Sequence, residues 1–195
     1  MAIEVRTLEG PHLAEALDDL AELRIRVFAD WPYLYDGDLA YEREYLREFS
    51  QEEGSVLIAA LDGARIVGAA TASPMAGQKA EFRAPFEERG FDTARLFYFG
   101  ESVLLPEYRG HGVGHAFFDH REAAARSHGA SHACFCAVMR ESTDPRRPSN
   151  HRPLDAFWQG RGYEKVDGLI TSFPWKEADC EDEIAHAMQF WMAAL

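Results

Sequence analysis

The stretch from Phe97 to Phe118 leaves the chain few folds to choose from. An apolar run rich in aromatic and β-branched residues reads as a buried strand over residues 95 to 105, and Pro106 stops it. Glycines at 110, 112 and 114 follow, and then a helix from about Val113 to Ser127 that turns Val113, Ala116, Phe117 and Ala124 inward. Glycine lets the main chain turn tightly and approach a ligand without β-carbons in the way. The free N–H groups at the helix start, at the positive end of its dipole, make an anion site suited to a pyrophosphate. Arg109 adds a permanent positive charge.

The elements around this stretch alternate without a strict βα repeat. Ile3 to Arg6 reads as a strand broken at Gly10-Pro11, and His12 to Ala29 as a helix with Leu13, Leu17, Leu20, Ile25 and Phe28 at helical spacing. An aromatic, turn-forming loop, Trp31 to Asp38, leads to a second helix capped by Asp38 and reaching about Phe49, with Tyr41, Tyr45, Leu46 and Phe49 on one side. Residues 55 to 61 and 65 to 71, joined by Asp62-Gly63, read as a hairpin. Residues 73 to 93 form a long excursion with one brief helix at most. Beyond the signature helix come a strand from His132 to Met139 and an arginine-bearing loop, 140 to 153. A short helix from Leu154 to Gln159 follows, then strands at 163 to 166 and 169 to 175, and a closing amphipathic helix from Glu181 to Leu195. The expected architecture is one α/β domain over residues 1–195, a mixed sheet flanked by helices.

Charge narrows the partners. With 20 basic against 33 acidic residues the net charge is −13, which repels a phosphate backbone and attracts a cationic small molecule. Nucleic acid and membrane are not expected as partners, since no apolar run approaches the ~20 residues that cross a bilayer. Three cysteines cannot all pair, which suits a reducing cytoplasm, and Cys134 and Cys136 read as buried, inert thiols.

Other phosphate and nucleophile motifs fail at the glycine turn. A P-loop needs a lysine, and the stretch has none. A dinucleotide fingerprint needs a glycine where Phe117 or His115 stands. A nucleophile elbow begun at Gly100-Glu-Ser102 would close on Leu104. What the turn resembles is the acyl-CoA signature of the GNAT acetyltransferase superfamily, Arg or Gln, two residues, Gly, any residue, then Gly or Ala, met by Arg109-Gly-His-Gly112-Val-Gly114. The order of elements is similar to that family over almost the whole chain. The resemblance implies a splayed mixed sheet of six to seven strands, with acetyl-CoA as co-substrate. It also implies main chain at Leu104 and Leu105 beside the pantetheine arm, and the amides of Arg109, Gly110, His111, Gly112, Val113 and Gly114 on the pyrophosphate. Asn150 resembles an asparagine that contacts the cofactor in relatives; alternatively it only starts a turn.

Acetylating an amine needs a neutral nucleophile, and an alkyl ammonium of pKa ~10.4 costs about 4.6 kcal/mol to deprotonate at pH 7. Glu101 is the expected base, on a strand face shared with Phe97, Phe99 and Val103, where desolvation would raise its pKa. Two departures from the family pattern stand beside this. The acid there lies an odd number of residues before the signature arginine, whereas Glu101 lies eight before Arg109. The tyrosine that protonates the thiolate in many relatives is replaced by Trp158, which leaves water, Tyr163 or another loop group for that role.

The loop at 31 to 38 corresponds to one that lines the acceptor pocket in relatives. Tyr33, Tyr35 and Asp36 offer a ring wall and a carboxylate to a small-molecule or peptide amine, or else pin the loop to the core. His111, His115 and Asp119 have metal-ligand spacing on a helix, but His111 precedes the helix and no fourth ligand is near, so no metal is expected. The loop arginines read as solvated surface with some CoA contact, and the acidic run from Glu177 to Glu183 as the start of the last helix. The apolar end of the chain (Met188, Phe190, Trp191, Met192, Leu195) would pack on the sheet or on a second subunit in a homodimer. The expected activity is N-acetyl transfer from acetyl-CoA to a primary amine by direct attack. The alternative is an acyl-CoA sensor, or a transferase of longer acyl groups.

Overall fold

The computed structural model describes residues 3–8 and 11–195, with the side chains of residues 11, 12 and 14 left undescribed. The break expected at Gly10 lies outside the described residues. The elements run β1 (Ile3–Leu8), α1 (Pro11–Phe28), α2 (Leu39–Gln51), β2 (Val56–Asp62), β3 (Arg65–Pro74), α3 (Ala80–Glu87), β4 (Leu96–Leu104), α4 (Val113–His128), β5 (His132–Val138), α5 (Asp155–Gly160), β6 (Glu164–Lys176) and β7 (Glu183–Ala194). The strands form one seven-stranded sheet in the order β1-β2-β3-β4-β5-β7-β6. The pairing is antiparallel except between β4 and β5. This is the mixed, helix-flanked sheet the sequence implies.

Local chemistry sets the boundaries. Asp38 Oδ1 accepts the Tyr41 N–H at 2.8 Å and opens α2. Gly63 at φ +61 closes the β2–β3 hairpin. Gly129 at φ +85 ends α4. α1 and α2 pack on one face of the sheet with Leu20, Leu46, Leu57 and Val103, while Phe118 of α4 meets Phe99 and Phe135 on the other.

Two sequence expectations are corrected here. Residues Glu183–Ala194 form a strand, not the closing helix. The run is apolar enough for either, and the open edges of β5 and β6 settle the matter by pairing with it on both sides. His186, Met188 and Phe190 then alternate inward with a period of two. The residues expected as two strands at 163–166 and 169–175 are one strand, β6, with a register slip between Lys165 and Ile170. The Gln189 side chain fills that slip, donating to the carbonyls of Val166 (2.8 Å) and Leu169 (3.2 Å).

Candidate active site

β4 and β5 pair over three residues only, Leu96–Tyr98 against His132–Cys134, and then diverge. Among the described residues, no strand lies beside the β4 edge that faced β5 from Phe99 onward. Gly68 pairs with Leu104 in register, and the neighbouring Leu105 N–H donates to Val67 O at 3.0 Å. Alternate residues of an antiparallel ladder aim their polar groups at the partner, so those of Leu104 aim the other way, into the gap. Arg109 folds back there, with Nε and Nη2 at 3.4 and 3.3 Å from Leu104 O. Leu105 does not meet the expectation made for it. Its N–H is taken by Val67 and its carbonyl accepts the Tyr108 N–H at 3.0 Å.

The gap leads straight into the glycine turn. Gly110 and Gly112 have φ of +80 and +82, and a Cβ on either would meet open space. The backbone therefore needs glycine there for its conformation, and leaves a concavity lined with main chain. The first helical bond of α4 is Ala116 N–H to Gly112 O at 3.1 Å. The N–H groups of Val113, Gly114 and His115 precede it and have no intrahelical acceptor. Tyr108 fixes the turn by donating to Asp62 Oδ2 at 2.9 Å. Gly114 has a different task, because a Cβ there would stand 3.3 Å from the Phe157 ring of α5. His111 turns its Nδ1 to Tyr108 O, 3.3 Å away. Asn150 is exposed in the turn before α5.

Glu101 sits on a bulge. The β3–β4 register slips between Ala70 and Ala72, so Gly100 and Glu101 together face Thr71. The slip reverses the side-chain alternation. Phe97 and Phe99 keep to the α4 side, packed among Phe118, Phe135 and Tyr163, while Glu101 turns to α1 and α2. There its carboxylate is gripped by Arg24 Nη1, and Tyr45 Oη reaches its Oε2 at 3.5 Å. The face expected for Glu101 is thus corrected: it shares neither Phe97's side nor Phe99's.

Arg24, the residue behind this arrangement, was not foreseen from the sequence. Its Nε also binds Glu42 Oε2 at 2.5 Å, and its guanidinium lies 4.5 Å from the Tyr45 ring and 5.3 Å from that of Phe28. Burial works against its charge, but Glu101, Tyr45 and Glu42 outweigh it and hold its pKa above the ordinary arginine value. A signal was present: Leu17, Leu20, Arg24 and Phe28 share one helical stripe, with a cation in an apolar series. Glu42 likewise takes the buried position on α2 expected of Tyr41, which is 59% exposed.

The loop from Trp31 to Asp38 closes over the same side. The Tyr33 ring packs on Phe28 at 4.7 Å and Trp175 at 5.7 Å. Burial, then Cys136 and Glu101 nearby, raise its hydroxyl pKa. Burial and neighbouring Glu42 do the same to Tyr35. Asp36 is not a free carboxylate, since Lys176 Nζ lies 2.7 Å away. The loop is bound by main-chain bonds to the turn after β6, Asp36 N–H to Lys176 O and Ala178 N–H to Leu34 O, both 2.9 Å.

That turn carries Glu177, 1% exposed, which receives Arg140 Nη2 at 2.6 Å and also Arg146. Arg140 Nε donates to Pro32 O at 2.7 Å. Arg140 is thereby an internal tie and not solvated surface, Arg146 is a surface arginine ion-paired to the same carboxylate, and Glu177 starts no helix.

Trp158 and Tyr163 both point into the core. Trp158 lies 5.0 Å from the rings of Phe135 and Trp191. Tyr163, 1% exposed, donates to Glu122 Oε1 at 3.3 Å, and burial raises its pKa. Cys134 and Cys136 are buried free thiols, and burial pushes Cys136 up to about 12. His115 packs edge-on against Phe157, and Asp119 pairs with Arg161 at 2.7 Å. The metal-capable group among the described residues is Glu177, Asp179 and Cys180, a different set, and two arginines already occupy its central carboxylate.

A family model described as the acetyltransferase (GNAT) family matches residues 17–147. A search of curated protein sequences finds no match. Among solved structures, a ribosomal-protein-alanine N-acetyltransferase of Brucella melitensis superposes with a TM-score of 0.63 at 14% identity, covering 98% of this chain and 99% of that one. An aminoglycoside 6′-N-acetyltransferase complexed with coenzyme A gives 0.61 at 17% identity over 100% and 97%. A PaiA N-acetyltransferase of Thermoplasma acidophilum, in complex with coenzyme A, gives 0.55 at 14% over all of both chains. At these identities the likeness is one of fold.

Proposed function

The chain belongs to the GNAT acetyltransferase family, and on that premise we propose that it transfers an acetyl group from acetyl-CoA to a primary amine of a small molecule or peptide. The observation that carries the reading is the unpaired β4 edge, which opens directly onto the two left-handed glycines before α4. An extended pantetheine arm fits beside Leu104 as a substitute strand, once Arg109 moves off the carbonyl. The amides of Val113, Gly114 and His115, with Arg109, suit a diphosphate. Glu101 is the base: it takes a proton from the ammonium, and the freed lone pair attacks the thioester carbon. The C–S bond then breaks as the nitrogen of the tetrahedral intermediate gives its second proton to solvent, the departing thiolate takes a proton from solvent, and Glu101 releases its own proton to solvent. The protein works as a single domain in the cytoplasm.

Titration calorimetry with acetyl-CoA tests the first half of the reading; binding supports it, and no heat at high micromolar protein sinks it. Thiol release with primary amines tests the second half. One observation favours a different reading, an acyl-CoA sensor: Arg24 already holds the Glu101 carboxylate. Acetyl-CoA binding with no thiol release from any amine would select the sensor.

A further inference from the structure

The two carboxylate oxygens of Glu101 are held unequally. Its Oε1 is taken by Arg24 Nη1, while its Oε2 has a hydrogen bond from Tyr45 at the limit of distance, 3.5 Å. Arg24 itself is held by Glu42 on Nε, and its guanidinium lies 4.5 Å from the Tyr45 ring and 5.3 Å from that of Phe28. The guanidinium is 10% exposed, the Glu42 carboxylate 1% and that of Glu101 11%. Two carboxylates share Arg24, and a second buried guanidinium, Arg121, reaches the main-chain carbonyl of Glu101 with Nη1 at 3.5 Å.

A purely structural tie between α1 and α2 would be complete with Arg24 and Glu42 alone. The second carboxylate comes from the β4 bulge, at the point where the sheet opens. A lysine could offer one point charge there, but not two fixed directions; the planar fork of arginine supplies both. We infer that Arg24 is a positioning residue for the transfer reaction: it holds Oε1 of Glu101 so that Oε2 is the oxygen left to receive the ammonium proton. Nothing in the acyl-CoA signature encodes this clamp, which is assembled from α1, α2 and β4. The inference rests on the proposed acetyl transfer.

The test is a cycle of Arg24→Lys and Glu101→Gln, read by thiol release from acetyl-CoA with phenethylamine, lysine amide and spermidine, alongside calorimetry with acetyl-CoA. Arg24→Lys keeps the charge and spares the fold, which its urea midpoint checks. The expected result is a kcat about tenfold lower in Arg24→Lys with acetyl-CoA affinity held within about twofold, and no further loss when Glu101 is already Gln. Equal losses in both backgrounds would mean that Arg24 acts on stability alone, and an unchanged kcat in Arg24→Lys would equally overturn the inference. Wild-type protein that binds acetyl-CoA but releases no thiol with any of the three amines removes the clamp's function and leaves cofactor binding standing. Failure to bind acetyl-CoA overturns the underlying reading.

Discussion

The Thr71 hydroxyl fills the space that a side chain on Gly100 would need, and in that position its Oγ1 accepts the Glu101 N–H at 3.1 Å. The bulge that turns Glu101 toward α1 is therefore built by a pair of residues on adjacent strands. Thr71 is 1% exposed and has no room to retreat.

Replacing Gly100 with alanine forces the two apart. The expected cost is about 1–3 kcal/mol of overpacking, seen as a lower urea midpoint. Turnover should fall by more than the unfolded fraction accounts for, because Glu101 moves with the bulge. Thr71→Ser keeps the hydroxyl and should keep the activity.

Gly112→Ala places a Cβ at a left-handed position with open space around it. The strain costs about 1 kcal/mol, and the new methyl stands in the concavity where a diphosphate would lie. Calorimetry should show acetyl-CoA binding weakened by about tenfold with little change in melting temperature.

Glu177 gives the protein an acid-sensitive tie. Burial alone would raise its carboxyl pKa, but hydrogen bonds from Arg146 and Arg140 hold it below the ordinary glutamate value. Its folded pKa is thus lower than its unfolded one of ~4.3, so the stabilisation is complete above that value and is lost as pH falls through the folded pKa. Asp144, held at about 2 by Arg146, loses its share at lower pH still. Urea midpoints measured from pH 6 down to pH 3 should fall steeply in the wild type and more gently in Glu177→Gln. That variant should start lower by on the order of 3 kcal/mol, since two arginines lose their buried partner.

Trp158→Phe should leave turnover nearly intact, as no proton passes through a ring packed on Phe135 and Trp191. Trp158→Ala should cost about 3 kcal/mol in urea melts. A restored tyrosine, Trp158→Tyr, should bring no gain in kcat. A gain would mean that this side chain reaches the thiolate.

The parts legible in the sequence are those written by local chemistry. Gly110 and Gly112 announce a turn by backbone conformation alone, Asp38 announces a helix start, and Asp62-Gly63 a hairpin. The β7 strand was not legible, because alanine, methionine and glutamine suit a helix as well, and only the paired edges of β5 and β6 decide between them. The face of Glu101 was lost for a related reason: counting by twos along β4 fails at a bulge that Thr71, 30 residues away, imposes. The clamp on Glu101 joins residues 24, 42 and 101, and no window of sequence contains it. The expectation of a solvated arginine at 140 failed in the same way, since its partner Glu177 lies in another loop.

β7 follows β6 in the chain yet lies between β5 and β6 in the sheet. The outermost strand is therefore attached through a neighbour that the ribosome makes later. Until residues 183–194 emerge, β6 has no edge to join, and Glu177 at its end cannot lock the loop over Tyr33. Closure of the loop over Tyr33 therefore waits on β7, while the glycine turn before α4 is tied through Tyr108 to Asp62 of β2, a strand made earlier.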